Sequence, residues 1–304
     1  MSRLWLLLAI ALLSLTAIAV ISYLYADAQQ YPVRLGPTDP AMKPARIVSL
    51  APNLTEILFE LGLAEQVVAV SNDSDYPAEA TRKKKIGTFW QPDTEAIIAA
   101  APDLVLALHF EQQRAVADTL NRLGYRVLTL KIETIEDLFA AIEEIGAAAG
   151  CEARAHQLIS STRSQMESLK SRFSSTNNVK VLWAVQAEPL RVAGAGTFIS
   201  EVLELAGGQN AMKPTIQQYP QIGAEELLAC DPQVIVQSAM GTKDLDAQQQ
   251  AARLFWRKWP GLPAVKNGRI YVIDPDTTLR LGPRLPQGIQ ALGRCLHPNK
   301  QSTE

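Results

Sequence analysis

At 304 residues, with 47% hydrophobic and 20% charged side chains, the chain is long enough for two packed lobes with a sizeable core. A formal net charge of −2 gives no global attraction to nucleic acid, and the one basic run, Arg82-Lys83-Lys84-Lys85, reads as a solvated turn. Cys151, Cys230 and Cys295 are far apart and form no C-x-x-C pair, which argues against a cysteine-built metal site and leaves at least one thiol unpaired in a monomer.

No charged side chain occurs from Leu4 to Ala26, and Arg3 stands just before that apolar run. Ala26-Asp27-Ala28 supplies the small residues a signal peptidase requires, so residues 1–28 read as a cleaved leader with Gln29 as the new N-terminus. The run is also long enough for an uncleaved membrane anchor. Both readings carry the remainder out of the cytoplasm, to the periplasm or the face of the inner membrane. No cysteine lies near this segment, which excludes a lipid-modified N-terminal cysteine. Residues 29–44, with Pro32, Gly36, Pro37, Pro40 and Pro44, read as a linker.

From residue 45 the pattern alternates between strand and helix. Arg46–Leu50 is a predicted strand and Asn53–Leu61 a helix capped by Asn53 and stopped at Gly62. Val67–Val70 is a strand, Thr94–Ala101 a helix, Leu104–Leu108 a strand, Glu111–Leu123 a helix and Arg126–Leu130 a strand. Short, continuously apolar strands between helices imply a parallel sheet covered on both faces. Cys151–Phe173 then runs without Gly or Pro and reads as one long helix. Alternation resumes with strand Val179–Val185, helices Phe198–Leu205 and Gly223–Ala229, strand Val234–Gln237, helix Ala247–Lys258, strand Arg269–Ile273 and helix Pro286–Leu296. The expected organisation is a lobe over 45–150, an inter-lobe helix over 151–176, a second lobe over 177–298 and a tail over 299–304.

The two halves share a repeat: EAIIAAAPDLVL from Glu95 parallels EELLACDPQVIV from Glu225. In each, a Glu opens a short apolar helix, Pro102 or Pro232 ends it, and a hydrophobic strand follows. The expected fold class is therefore α/β, with two β/α lobes of mainly parallel sheet joined by one long helix.

Catalytic signatures are missing. There is no G-x-S-x-G elbow or P-loop, and Gly194-Ala195-Gly196 continues as a tight turn rather than completing G-x-G-x-x-G. His109, His156 and His297 are scattered, and the last two read as solvated. His109 follows a strand, where a loop meets ligand, although an exposed loop histidine is the commoner reading. No metal site, catalytic cofactor or nucleophile–base set is expected, so an exported hydrolase is disfavoured. Aromatic and arginine residues instead recur after strands: Tyr76, Phe89, Trp90, Tyr219, Arg280 and Arg284. Such strand ends border clefts in α/β sheets, and flat aromatic faces suit a large planar ligand.

At RIVSLAPNLTEILFELG, SNDSDYPAEA, TEAIIAAAPDLVLAL, AGAGTFISEVLELAGGQN, YPQIGAEELLACDPQVIV and PRLPQGIQALGRCLHP the sequence resembles the vitamin B12 (cobalamin) periplasmic binding proteins, within the group that also carries ferric siderophores and haem. The stretches span about residues 45–298, and SDYP with the PRL…LHP ending tilts the resemblance to the B12 branch. It implies a monomeric class III binding protein that holds its ligand between two lobes without large hinge closure and delivers it to an ABC importer permease. It further implies that Tyr76, Phe89 or Trp90, Tyr219 and Arg280 face the ligand. Glu95 and Glu225 match a pair that docks on permease arginines. Leu108-His109 departs from relatives with a Trp there, and Ala206 from relatives with a Cys, which leaves Cys295 without that partner.

Overall fold

The computed structural model describes residues 34–35, 43–174, 179–240 and 244–300. The expected leader or anchor lies outside the described residues, as do most of the expected linker and residues 301–304.

Residue-by-residue alternation of apolar side chains between two covered faces builds the first sheet. Its elements in chain order are β1 (Arg34–Leu35), β2 (Ile47–Ser49), α1 (Pro52–Glu60), β3 (Val67–Val70), β4 (Lys84–Lys85), α2 (Thr94–Ile98), β5 (Leu104–Leu108), α3 (Glu111–Arg122), β6 (Val127–Leu130) and α4 (Ile135–Ala149). The strands lie in the order β1-β6-β5-β2-β3-β4, parallel except for β1. Ile47, Leu104, Leu106 and Leu128 point into one apolar core, and their neighbours Val48, Val105, Ala107 and Val127 into a second core on the opposite face. Both faces are buried, so the strands read as continuous apolar runs.

α5 (Glu152–Phe173) leaves this sheet and runs 22 residues, about 33 Å. Its fully buried side chains are Ala155, Thr162, Met166 and Phe173, spaced seven, four and seven apart along a single stripe. The rest is β7 (Val179–Gln186), β8 (Arg191–Val192), α6 (Phe198–Leu205), β9 (Gly208–Asn210), α7 (Ala224–Cys230), β10 (Val234–Ser238), α8 (Leu245–Trp256), β11 (Ile270–Ile273) and α9 (Leu285–Leu296), with short helical turns at Pro263–Lys266 and Pro275–Thr278. The second sheet has the order β11-β10-β7-β8, with β9 also on β7, and only β8 is antiparallel. α5 packs against α4, α6 and α9, and the inner faces of the two sheets join through it in one apolar core.

The repeat seen in the sequence is a repeat of backbone. Glu95 and Glu225 each occupy the second position of a short helix. Ala101 and Asp231, six residues on, both take left-handed φ values, 46° and 45°. After the proline, the Asp103 amide donates to the Arg46 carbonyl at 2.8 Å and the Gln233 amide to that of Lys180 at 2.9 Å, which starts β5 and β10 beside β2 and β7.

Several expectations are corrected. Asn53 does not cap α1, which begins at Pro52 behind Ala51; the Asn53 side chain instead donates to the Leu281 carbonyl of the other lobe at 3.1 Å. The helix expected over 94–101 stops at Ile98, because Ala101 turns left-handed and proline follows. The basic tetrad is not a solvated turn: Lys84–Lys85 is β4, and the Lys85 amine donates to the Ser74 carbonyl at 2.8 Å. His297 is half-buried, stacked on Phe173 and 3.1 Å from the Gly207 carbonyl, rather than solvated. Within the expected linker, Arg34–Leu35 pairs with β6. α4, unassigned from sequence, is opened by a capping box between Thr134 and Asp137.

Candidate functional site

All five parallel strands of the first lobe end on one cavity of about 710 Å³, within the range of roughly 300–1,000 Å³ typical of small-molecule sites. After β2 come Pro52 and Asn53, after β3 Asp73, after β4 Phe89 and Trp90, at the end of β5 Leu108 and Phe110, and after β6 Ile132 and Glu133. The second lobe supplies Thr197, Phe198, Gln218, Tyr219 and the segment Leu279–Leu281. The cavity therefore lies between the lobes at the carboxyl ends of the strands.

The first lobe presents an aromatic group. Phe89 and Phe110 have ring centroids 4.8 Å apart, and Trp90 meets both edge-on at 4.9 and 5.4 Å. Trp90 is 62% exposed, which leaves much of its face uncovered. A tight turn carries Phe89 and Trp90 at its tip, closed by reciprocal hydrogen bonds between Thr88 and Gln91. Gly87 is required at its base: φ is +90°, and a Cβ there would stand 2.4 Å from the Gln91 carbonyl oxygen. Opposite, Tyr219 sits on a segment zipped to β8, with the Val192 amide donating to Pro220 at 3.1 Å and the Gly194 amide to Gln218 at 2.8 Å. Burial, and then the Glu133 carboxylate, raise the Tyr219 pKa above its ordinary value, so the ring is a neutral phenol.

Arg280 lines the cavity but is held by carboxylates. Its guanidinium lies 2.8 Å from Asp75, 2.8 Å from Asp276 and 3.6 Å from Glu56. Glu56, 2% exposed on α1, also accepts two hydrogen bonds from Arg284, at 2.6 and 3.0 Å. Burial opposes the Arg284 charge, but its hydrogen bond to Glu56 and that carboxylate's charge prevail and raise its pKa. Burial would raise Asp75 as well; its hydrogen bond to Arg280 and the charge there outweigh this and lower it. Because Glu56 and Asp75 belong to the first lobe and the arginines to the second, the cluster clasps the lobes beside the cavity.

The expected site residues divide accordingly. Phe89, Trp90, Tyr219 and Arg280 line the cavity together. Tyr76, 39% exposed, is not among the lining residues; its ring lies under the Arg284 guanidinium at 4.0 Å. His109 is also outside the lining, which takes Leu108 and Phe110 on either side of it. Glu95 and Glu225 are exposed and away from the cavity. Phe110, Phe198 and Asp73 were not singled out from sequence; Phe110, an aromatic just past the LVLAL strand, carried the same signal as those that were. Among the described residues no cluster of three or more His, Cys, Asp or Glu side chains could hold a metal ion. All three cysteines are free, and burial first of all raises each thiol pKa.

Comparison with known proteins agrees with this arrangement. The chain is 32% identical over 265 residues to the uncharacterized ABC transporter substrate-binding lipoprotein YvrC of Bacillus subtilis, covering 84% of this chain and 81% of that one. It superposes on the periplasmic vitamin B12 binding protein BtuF of Vibrio cholerae with a TM-score of 0.72 at 26% identity, over 86% of this chain and 99% of BtuF. A periplasmic haem binding protein from Pseudomonas aeruginosa gives a TM-score of 0.73 at 29% identity, over 84% of this chain and 94% of that one. Two lobes on one long helix are the architecture of the class III binding proteins, whose members bind substrates and are not enzymes. With the pattern of the periplasmic binding proteins matched over residues 47–277, the chain belongs to that family.

Proposed function

We propose that this protein is the substrate-binding component of an ABC importer and that its ligand is cobalamin or a related corrinoid, held between the lobes. The observation that carries the reading is an inter-lobe cavity with aromatic faces on both sides and no free cation among its described lining residues. A corrin ring offers a broad apolar face with neutral amides on its rim. The faces suit Phe89, Trp90, Phe110 and Tyr219, and the rim suits Asn53, Thr197 and Gln218.

Haem and ferric siderophores are the alternative cargo of the group. Haem brings two carboxylates and an iron that takes an axial His, Cys, Met or Tyr. Among the described lining residues, Tyr219 alone is of these types, and the Glu133 carboxylate beside it is no partner for a haem propionate. The charged lining groups are Asp73, Glu133 and the carboxylate-bound Arg280, a poor match for an anionic ligand. With no histidine among the described lining residues, cobalamin is expected to keep its own cobalt ligands. In a gel-filtration experiment cyanocobalamin should co-elute with the protein one-to-one with its visible bands unshifted. Co-elution of haem or a ferric siderophore in its place would transfer the protein to the alternative cargo.

Glu95 and Glu225 are proposed as the permease-docking pair, one exposed carboxylate at the same position of the same backbone unit in each lobe. The mature form begins at Gln29 and works in the periplasm, or at the membrane if residues 1–28 are retained as an anchor. Intact-mass analysis of envelope protein separates the two.

A further inference from the structure

α3 carries one side chain that its exposed neighbours make conspicuous. Gln112 and Arg114 are exposed, but Gln113 between them is fully buried, with 0% of its surface accessible. Its amide is satisfied entirely by main-chain groups of three cleft-forming segments. The side-chain oxygen accepts from the Leu108 amide at 2.7 Å. The side-chain nitrogen donates to the Leu50 carbonyl at 2.9 Å and to the Phe89 carbonyl at 3.1 Å. The amide orientation is fixed, since turning it over would set an oxygen against two carbonyl oxygens.

These partners are the cleft's own supports. Leu50 follows β2 just before Pro52 and Asn53, Leu108 ends β5 two residues before Phe110, and Phe89 is at the aromatic tip. Phe89 is held from the other side as well, its amide donating to Asp73 at 2.6 Å. The β2–β5 ladder, continued by the Leu50 amide donating to the Leu106 carbonyl at 3.0 Å, already registers two of these segments, so what Gln113 adds is the tie from that pair to the Phe89 turn.

We propose that Gln113 is a positioning residue that sets the aromatic wall of the first lobe before ligand arrives. It touches no ligand; it orients Phe89, and through the Phe89–Trp90–Phe110 contacts the whole wall. Rigid placement lowers the ordering cost of binding, so its loss is read in affinity more than in fold. The link to affinity rests on the corrinoid reading above; the placement of Trp90 does not.

The test uses the full folded protein with Gln113→Met, which keeps shape and removes all three bonds, and Gln113→Glu, which keeps the acceptor and turns oxygen towards two carbonyls. The near-ultraviolet dichroism of Trp90 is isolated by difference against Trp90→Phe. The expected result is loss of the Trp90 signal in both variants and a cobalamin Kd raised about tenfold, with a cooperative thermal transition retained. A folded Gln113→Met protein with the wild-type Trp90 signal and Kd overturns the proposal. Should neither variant fold, fluorotryptophan NMR of the ligand-free wild type decides: one Trp90 resonance supports a preset wall, and several exchanging resonances overturn it. If wild type binds no cobalamin, the corrinoid reading fails while the ligand-free Trp90 signal still tests Gln113.

Discussion

Burial and the adjacent Glu133 carboxylate keep Tyr219 neutral, so its ring can serve as an apolar face across from Phe89 and Trp90. Replacing Tyr219 with Ala should weaken cobalamin binding by about 1–3 kcal/mol through lost stacking and burial, measured by titration, while Phe should restore most of it. Because the folded pKa lies above the unfolded value of about 10, the phenol's contribution to stability is present below that pH and is lost as pH rises through the folded value. Alkaline titration should show one late phenolate that is absent from Tyr219→Phe. At this scale the sequence revealed the aromatic positions, because ring side chains after strands are visible as residue types. It did not reveal that Tyr76 lies beneath Arg284 or that Arg280 is engaged by Asp75 and Glu56, since those pairings join residues some two hundred positions apart. Gln113 was equally hidden: one glutamine among polar neighbours on a helix has no pattern that marks it as buried.

The paired helix–proline–strand units were legible because their constraints are local: a Glu in the first turn, proline past the end and an apolar strand. Their left-handed joints were not, since neither Ala101 nor Asp231 is a glycine. An alanine at φ 46° carries a cost of about 1–2 kcal/mol, whereas aspartate tolerates that region better. Ala101→Gly should therefore raise stability by about 0.5–1 kcal/mol in denaturant unfolding, after the entropy glycine adds to the unfolded chain, and Asp231→Gly by less. α4 escaped the sequence reading although Thr134 and Asp137 form its capping box and Gly150, at φ 64°, ends it in a left-handed cap. The two helices press together where a Cβ on Gly146 would lie 2.4 Å from that of Ala155. On the proposed docking role, Arg at both Glu95 and Glu225 should leave fold and ligand affinity unchanged and abolish uptake by reconstituted importer, since a like charge would then oppose the cationic permease surface that role requires. Normal uptake by that variant would reduce both carboxylates to helix-dipole partners, worth about 0.3–1 kcal/mol each.

For the whole molecule, the relative setting of the lobes is held on the α5 side by the shared apolar core and beside the cavity by the Glu56–Arg284–Arg280–Asp75 clasp. The Asn53–Leu281 bond adds to it. Glu56→Gln leaves buried arginine charge without its main partner, so unfolding stability should fall by about 3–5 kcal/mol, and spin labels across the cleft should report a broader distance distribution. A loss under about 1 kcal/mol with an unchanged distribution would mean the clasp does not set the cleft. The lowered Asp75 pKa puts its contribution above the ordinary value of 3.8, to be lost as pH falls through the lower folded value, and Asp75→Asn should remove that acid limb. A cleft fixed in this way, with aromatic walls and its lining arginine held by carboxylates, suits a large ligand without strong negative charge, which is the ground on which cobalamin is proposed over haem. Calorimetric titration of the wild-type protein with cyanocobalamin, haem and a ferric siderophore in parallel tests this most directly. The account predicts saturable one-to-one binding of cyanocobalamin, tighter than that of either competitor; no binding of cyanocobalamin alongside tight binding of haem or the siderophore would contradict it.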